Sequence, residues 1–513
     1  MCERKRDDRS MTDAEFTALI DCCGQPVIDA PLGALLTSQA LATPSAPALS
    51  IGGRDWTFAA LDARSNRRAR QLSGAGVGKS DRVMIAMPNR VEFVEAVFAT
   101  WKLGAVPCPA SWRLAPTEFS ELVTMLQPRA VVGTSGLSVA GATLIDVDEP
   151  VPNLISDAPL PPSAVAPGKI VNSGGSTGRP KLIIDPQPSA WGPAKEGRRR
   201  PPRIVLLNPG PLYHSAPFSY VAMSLAQGSH VVCMDRFDAV EWLTMVERYQ
   251  PSFAYMVPTM MARVAKLPQE ITAAADLSSI ETLLHMAAPC PPDVKHWWIE
   301  RIGADRVFEV YGGSERIGAT LITGTEWLEH PGSVGRAAPG EEIVILSDEG
   351  EPLPRGEVGE IYFRRAASPG SHYRYIGADT RIRDDMDSFG DMGWLDRDDY
   401  LYIADRRTDM VTVGGANVYP AEIEAAIESL PGVLCAAALG LPDADMGNRI
   451  HAIVELDADQ PEPVDGMAFL APALAKLSGL KRPRTVEFTR ERVRDDAGKL
   501  RRAALRAERL NTL

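Results

Sequence analysis

The stretch "VNSGGSTGRPK", residues 171–181, admits two chemistries. Its Gly174-Gly175-Ser176-Thr177-Gly178 fits the G-x-S-x-G pattern that places a nucleophilic serine on a sharp strand-to-helix turn. Read on to Lys181, it also fits a glycine-rich loop that holds phosphates. The nucleophile reading needs a strand directly before the serine and a helix directly after it. Upstream, only Ile170 and Val171 have strand character, and Pro180 falls beyond the first helical position that tolerates proline. The phosphate reading uses more of the stretch. Glycines let main-chain N–H groups turn toward an anion, Ser173, Ser176 and Thr177 add hydroxyl donors, and Lys181 adds a mobile positive charge. No glycine directly precedes that lysine, so this is not a Walker A loop. Alone, the stretch leaves both chemistries open beside a plain Ser/Gly turn.

Composition narrows the field. A chain of 513 residues, 45% hydrophobic and 23% charged, is globular and long enough for two or more domains. A net charge of −12 argues against a nucleic-acid binder, which normally carries a basic face. No apolar run is long enough to cross a bilayer. The charged start "MCERKRDDRSMTDAEF" lacks an apolar segment behind it and does not read as a secretory signal. Residues 1–30 are expected to form an N-terminal extension, with Met11 a second candidate start. The seven cysteines (Cys2, Cys22, Cys23, Cys108, Cys233, Cys290 and Cys435) are odd in number and form no C-x-x-C pair. That pattern fits a reduced, cytoplasmic protein without a zinc site.

Helical and strand patterns alternate. "NRVEFVEAVFATWKLGA" places Val91, Val94, Val97, Phe98 and Trp101 on one helical face, with Asn89 expected to cap it and Gly104 to end it. "VVCM" (231–234), "DAVEWLTMVERY" and "SFAYMV" (252–257) read as strand, helix, strand, and "RIVLLNP" (203–209) as a further strand. These units predict a parallel α/β sheet. The Pro- and Gly-rich segment 182–202, with its Arg triplet at 198–200, reads as a surface loop. Past residue 405 a helix opens on Pro420, and "VLCAAALGL" and "RIHAIVEL" read as strands. The expected organisation is a large domain over 31–405, a hinge at 406–408 and a small α+β domain over 409–513.

The company of the first stretch separates its readings. "SGGSTGRPK" resembles the phosphate loop of the adenylate-forming superfamily of acyl-CoA synthetases, peptide-synthetase adenylation domains and luciferase. "PLYHSAP" (211–217), "MAAPCPP" (286–292), "YGGSE" (311–315), "GSVGRAAPG" (332–340), "GEVGEIYF" (356–363), "GDMGWLDRDDYLYIADR" (390–406), "GGANVYPAEIE" (414–424) and "DDAGKLRR" (495–502) resemble its other signatures in order and spacing. The likeness spans nearly all of 30–507. It implies an α/β large domain of mixed and parallel sheets with flanking helices and a β-barrel-like part, plus a small mobile C-terminal domain.

It also implies ATP and Mg²⁺, with coenzyme A as co-substrate. Joining a carboxylate to the α-phosphate of ATP brings anions together, so cations and oriented dipoles are needed. On the resemblance, Ser173, Gly174, Gly175, Ser176, Thr177, Gly178 and Lys181 hold the β- and γ-phosphates. Ala287, Ala288, Pro289, Tyr311, Gly312 and Ser314 line the adenine and nucleotide site. Asp391 accepts the ribose hydroxyls, Arg406 meets ribose and phosphate, and Glu315 holds the metal. Tyr213, His214, Ser215, Ala216, Gly312 and Gly313 form the acyl pocket. Lys499 serves adenylation, with His214 beside the carboxylate. A swing at Thr408 then brings Gly414, Gly415, Ala416 and Asn417 to the CoA tunnel.

This chain departs from the family's pattern in places. Gly174 stands where Ser is usual, Leu182 where Gly is, Thr408 where Asp or Lys is, and Val493 and Asp495 replace Pro and Thr. Asp495 and Asp496 are candidate partners for Lys499. "PLYHSAPFSY" has no Asp for a substrate ammonium, which favours an uncharged acid. Gly312 and Gly313, with Ala216, Ala287 and Ala288, suggest a roomy apolar pocket for a bulky alicyclic, polycyclic or medium-to-long acyl acid. An acid–CoA ligase leads, with a freestanding enzyme loading an acyl carrier protein second and a serine hydrolase using Ser176 remote. Oligomeric state stays open, a homodimer being compatible.

Overall fold

The computed structural model describes residues 30–510 apart from 138, 140, 153, 175–179, 192–202, 444, 476, 478, 496 and 497. The N-terminal extension, Cys2, Cys22, Cys23, Gly175 to Gly178, the Arg triplet and Asp496 therefore lie outside the described residues.

A nine-stranded sheet forms the centre. From one edge it runs Arg336–Ala337, Ala319–Thr323, Val307–Gly312, Thr282–Met286, Phe253–Met256, Val205–Asn208, His230–Cys233, Pro47–Ile51 and Arg54–Thr57. Six successive strands, from Val307–Gly312 to Pro47–Ile51, are parallel, as apolar runs such as "FAYM" and "HVVC" require when helices cover both faces. The order reverses around Val205–Asn208, which pairs with the next strand on one side and the following one on the other. Such a reversal opens a crevice at the carboxyl ends of the strands. A second, four-stranded parallel sheet is built from Val106–Pro109, Arg82–Ala86, Ala130–Gly133 and Thr143–Asp146.

The helix Val91–Lys102 forms where its pattern predicts, and Gly104 follows it with φ +66°. Asn89 does not cap it. Its amide donates to the carbonyls of Gly210 (3.0 Å) and Met234 (2.9 Å) and accepts from the Leu212 N–H at 2.8 Å. Those main-chain groups leave the sheet at the crevice and have no strand neighbour, so the buried amide serves them better than an exposed helix start. By contrast, Asp238 caps Ala239–Tyr249 by accepting from Val240 and Glu241.

The opening stretch folds as a β-hairpin. Lys169–Gly174 and Pro180–Asp185 pair antiparallel, with Ser173 opposite Lys181, Val171 opposite Ile183 and Lys169 opposite Asp185. A strand follows the loop, where a nucleophile elbow requires a helix. This removes the geometric basis for Ser176 as a hydrolase nucleophile. The hairpin packs on an antiparallel sheet through Val171, Ile183, Ile343, Phe363 and Leu401. No sheet among the described residues closes into a barrel. The edges Ile382–Arg383 and Leu401–Arg406 stay apart, so the expected β-barrel-like part is a pair of packed open sheets.

The C-terminal residues build their own core. Val433–Asp443 and Gly447–Leu456 pair antiparallel, Thr485–Thr489 joins in parallel, and Pro420–Glu428 and Gly466–Leu474 cover them with Ile423, Ile427 and Leu470. No helix among the described residues is long and apolar enough to cross a membrane.

Candidate active site

A cavity of about 2300 Å³ lies at the carboxyl ends of the central strands, between them and the C-terminal core. Pockets for one small ligand run to roughly 300–1,000 Å³. This one has room for more than one substrate at once.

At one end of it stands the hairpin. Lys181 Nζ lies 3.2 Å from Glu315 Oε1 and 4.1 Å from the centre of the Tyr375 ring. The Tyr375 hydroxyl donates to the same carboxylate oxygen at 2.5 Å. Burial first, and the neighbouring Glu315 second, raise the Tyr375 pKa far above the usual phenol value, so it remains a donor. Tyr375 carries no sequence signal; only folding brings its strand, Arg374–Ile376, beside Ile183.

Next comes the wall that carries Tyr311, Asp391 and Arg406. Tyr311, at the end of Val307–Gly312, donates to Asp391 Oδ2 at 2.7 Å, and Arg406 Nε stands 3.4 Å from Asp391 Oδ1. Tyr311 is pushed well above its ordinary pKa, by burial and then by Asp391. Ala287 follows Thr282–Met286 with φ +78°, a conformation costing a non-glycine residue about 1–2 kcal/mol. It turns the chain so that Ala287, Ala288 and Pro289 face the cavity. Ser314 lies on the same wall.

Gly312 and Gly313 line the cavity too, but they do not enlarge it. A Cβ on Gly313 would stand 2.5 Å from Phe389 Cε1 and 2.7 Å from Glu315 Oε2. One on Gly312 would meet Gly318 O at 3.3 Å. Their missing side chains make room for protein and not for the substrate volume expected of them.

The segment "PLYHSAP" follows Val205–Asn208 across the order reversal. Tyr213, His214, Ser215 and Ala216 all face the cavity, and His214 immediately precedes the helix Ser215–Ala226. Burial, then the positive charges of Lys499 and Arg501, lower the His214 pKa to about 3, so its imidazole is neutral.

Lys499 enters from the C-terminal side on a tight turn. Its main-chain N–H donates to Asp495 Oδ1 at 2.9 Å, and Gly498 N–H donates to Asp495 O at 2.9 Å. Gly498, at φ +74°, packs against Thr259 so closely that a Cβ would lie 3.0 Å from its Oγ1. Lys499 retains accessible surface because it faces the cavity. Enclosure is still the main influence lowering its ammonium pKa, with Arg406 and Lys181 adding to it and Asp495 and Glu315 opposing.

Thr408 is exposed at the cavity rim. On one side of it Arg407 is tied to Glu360 (3.0 Å) and Asp348 (2.7 Å); on the other Asp409 pairs with Arg502. Asp405 accepts from Ala421 N–H at 2.9 Å, holding the first turn of Pro420–Glu428 against the strand Leu401–Arg406. Gly414, Gly415, Ala416 and Asn417 lie away from the cavity wall. Gly414 and Gly415, at φ +56° and +81°, form the turn between Val411–Val413 and Ala416–Val418. Both need glycine in that geometry.

The fold and these residues define an adenylate-forming enzyme. Residues 36–370 match the model of the AMP-binding enzyme family, and the chain belongs to that family, among the acid–CoA ligases of the adenylate-forming superfamily. It is 30% identical to a feruloyl-CoA synthase of an Amycolatopsis species, over 93% of this chain and 98% of that protein. It is 29% identical to the long-chain-fatty-acid–CoA ligase FadD13 of Mycobacterium tuberculosis, over 93% and 98%. The solved o-succinylbenzoate CoA synthetase of Bacillus subtilis, in complex with its acyl-adenylate intermediate, superposes with a TM-score of 0.76 at 25% identity, over 93% and 98%.

Proposed function

We propose that this enzyme converts a bulky alicyclic, polycyclic or medium-to-long acyl carboxylic acid to its acyl-CoA in two half-reactions. ATP and the acid first form acyl-AMP and pyrophosphate; the thiol of coenzyme A then displaces AMP. The observation that carries this reading is that Lys499, Lys181, Glu315, Asp391 and His214 share one cavity although they span 319 positions from the first to the last.

Ser173 to Lys181 hold the leaving pyrophosphate. Glu315 fits the accompanying Mg²⁺: it is a buried carboxylate beside the phosphate-holding lysine, and this ion is commonly bound by one or two carboxylates plus phosphate oxygens. When bound, the ion neutralises phosphate charge. Lys181 exchanges its Glu315 contact for phosphate oxygens. Asp391, oriented by the Tyr311 hydroxyl, receives the ribose hydroxyls, and Arg406 neutralises charge beside it. Neutral His214 borders the acid without taking its proton, and Lys499 stabilises negative charge developing between carboxylate and α-phosphate.

For the second half-reaction the small domain, 409–513, turns about 406–408. The turn withdraws Lys499 and presents Gly414 to Asn417, as closure by few hinge residues allows. Acid-dependent pyrophosphate exchange over a panel of carboxylic acids tests the first half. Activity confined to amino acids, or none with any acid, refutes it. Offering the purified acyl-AMP to CoA and to a holo acyl carrier protein decides the acceptor.

A further inference from the structure

One end of the cavity carries a cation that adenylation and thiol transfer do not use. The inference drawn from it rests on the ligase reading and concerns what the acid carries at its tail. Lys181, Ile183 and Asp185 alternate along the cavity side of the hairpin, and Lys169 is the cross-strand partner of Asp185. Lys169 and Ser173 are four positions apart, so this pair lies about 13 Å along the strand from the end that carries Ser173 and Lys181.

Lys169 Nζ donates to Ser219 Oγ at 2.8 Å. Ser215, Ser219 and Met223 recur every fourth residue on the helix that starts beside His214, and all three face the cavity. A molecule whose carboxylate lies at His214 thus extends along this helix toward Lys169. The walls on the way are apolar: Trp101, Ile183, Phe218, Ala222 and Met223. Asp185 does not satisfy the ammonium. Its Oδ1 accepts from the Gln187 N–H at 3.0 Å and its Oδ2 faces Arg316 at 3.6 Å. An ammonium has three protons, and Ser219 takes one. Burial lowers the pKa of Lys169, with Asp185 opposing, which marks the cost of keeping a charge here. A wholly apolar tail would gain nothing from it.

We propose that Lys169, positioned by Ser219, binds a hydrogen-bond-accepting oxygen at the far end of the acid, so that the substrate is an apolar-bodied acid bearing a distal ketone, hydroxyl or carboxylate. Pyrophosphate exchange is measured for acids of one skeleton ending in methyl, ketone, hydroxyl or carboxylate, with wild type, Lys169→Met and Lys169→Gln. Wild type is expected to favour at least one oxygen-ended acid over the methyl-ended one by roughly 10- to 100-fold in kcat/KM, as a charge-assisted hydrogen bond allows. That ratio collapses toward one in Lys169→Met and is partly kept in Lys169→Gln. The preferred terminus identifies the substrate class. Equal use of all termini by wild type, or a preference that survives in a folded Lys169→Met, overturns the proposal while leaving the ligase reading standing. No exchange with any acid in any of the proteins refutes the ligase reading itself, and this inference with it.

Discussion

Lys499 is presented by a turn in which its own N–H donates to the Asp495 carboxylate and the Gly498 N–H to the Asp495 carbonyl, so its main chain is set before any substrate arrives. Lys499→Ala should lower the rate of acyl-AMP formation by about 10²–10³ and spare acyl-CoA formation from supplied acyl-AMP. Equal losses in the two assays would mean the lysine does not belong to one half-reaction only. His214 supports a pH prediction. Its folded pKa of about 3 lies below the unfolded value of about 6.5. Between these values the unfolded chain binds a proton that the folded one does not. Stability therefore rises with pH across that window and is lost as pH falls through it. Urea midpoints measured from pH 7 down to pH 4 should fall less steeply in His214→Gln. Identical slopes would place the acid sensitivity elsewhere.

At the scale of elements, the loop carrying Tyr213 and His214 is held by Asn89, which stands outside it. Asn89→Ala strands the buried Met234 carbonyl and the Leu212 N–H and leaves the Gly210 carbonyl with the Asn208 amide as its remaining donor. A loss of about 1–3 kcal/mol in unfolding free energy is expected, with a raised KM for the acid and little change in that for ATP. A mutant as stable as wild type, with unchanged acid KM, would show that the loop holds itself. Local pattern was a good guide to segments such as the helix Ala239–Tyr249 and the strand Phe253–Met256, but the stretch 182–202, which reads as a surface loop, begins inside the strand Pro180–Asp185 with Leu182, Ile183 and Ile184 buried. The pattern also failed at Asn89, whose partners lie 121 to 145 residues away, and at Tyr375, 60 residues from Glu315. A side chain that satisfies distant main-chain groups leaves no periodic trace. Gly313 misled for the same reason, because the ring of Phe389 fills its vacant space.

For the whole molecule, the arrangement has Lys499 in the cavity and the Gly414–Gly415 turn away from it. Gly498 and Thr259 meet across the two cores at a separation that suits a disulfide, since a Cβ on Gly498 would lie 3.0 Å from Thr259 Oγ1. Oxidised Thr259→Cys/Gly498→Cys should still release pyrophosphate but form acyl-CoA at least tenfold more slowly, with thiol reductant restoring it. The positive φ of residue 498 costs the cysteine about 1–2 kcal/mol, which the reduced protein reports as a lower thermal midpoint. Undiminished acyl-CoA formation by the oxidised protein would mean that thiol transfer needs no large domain motion.

The amino-acid order by itself determined many of the secondary elements, the chemical types available and the family, because periodicity and short motifs are properties of neighbouring residues. Tertiary structure alone decided that residue 181 meets 315, that 169 meets 219, and that Lys499 rather than the glycine turn faces the crevice. Those distances are set by how sheets and cores pack over hundreds of intervening residues, and no local pattern records that.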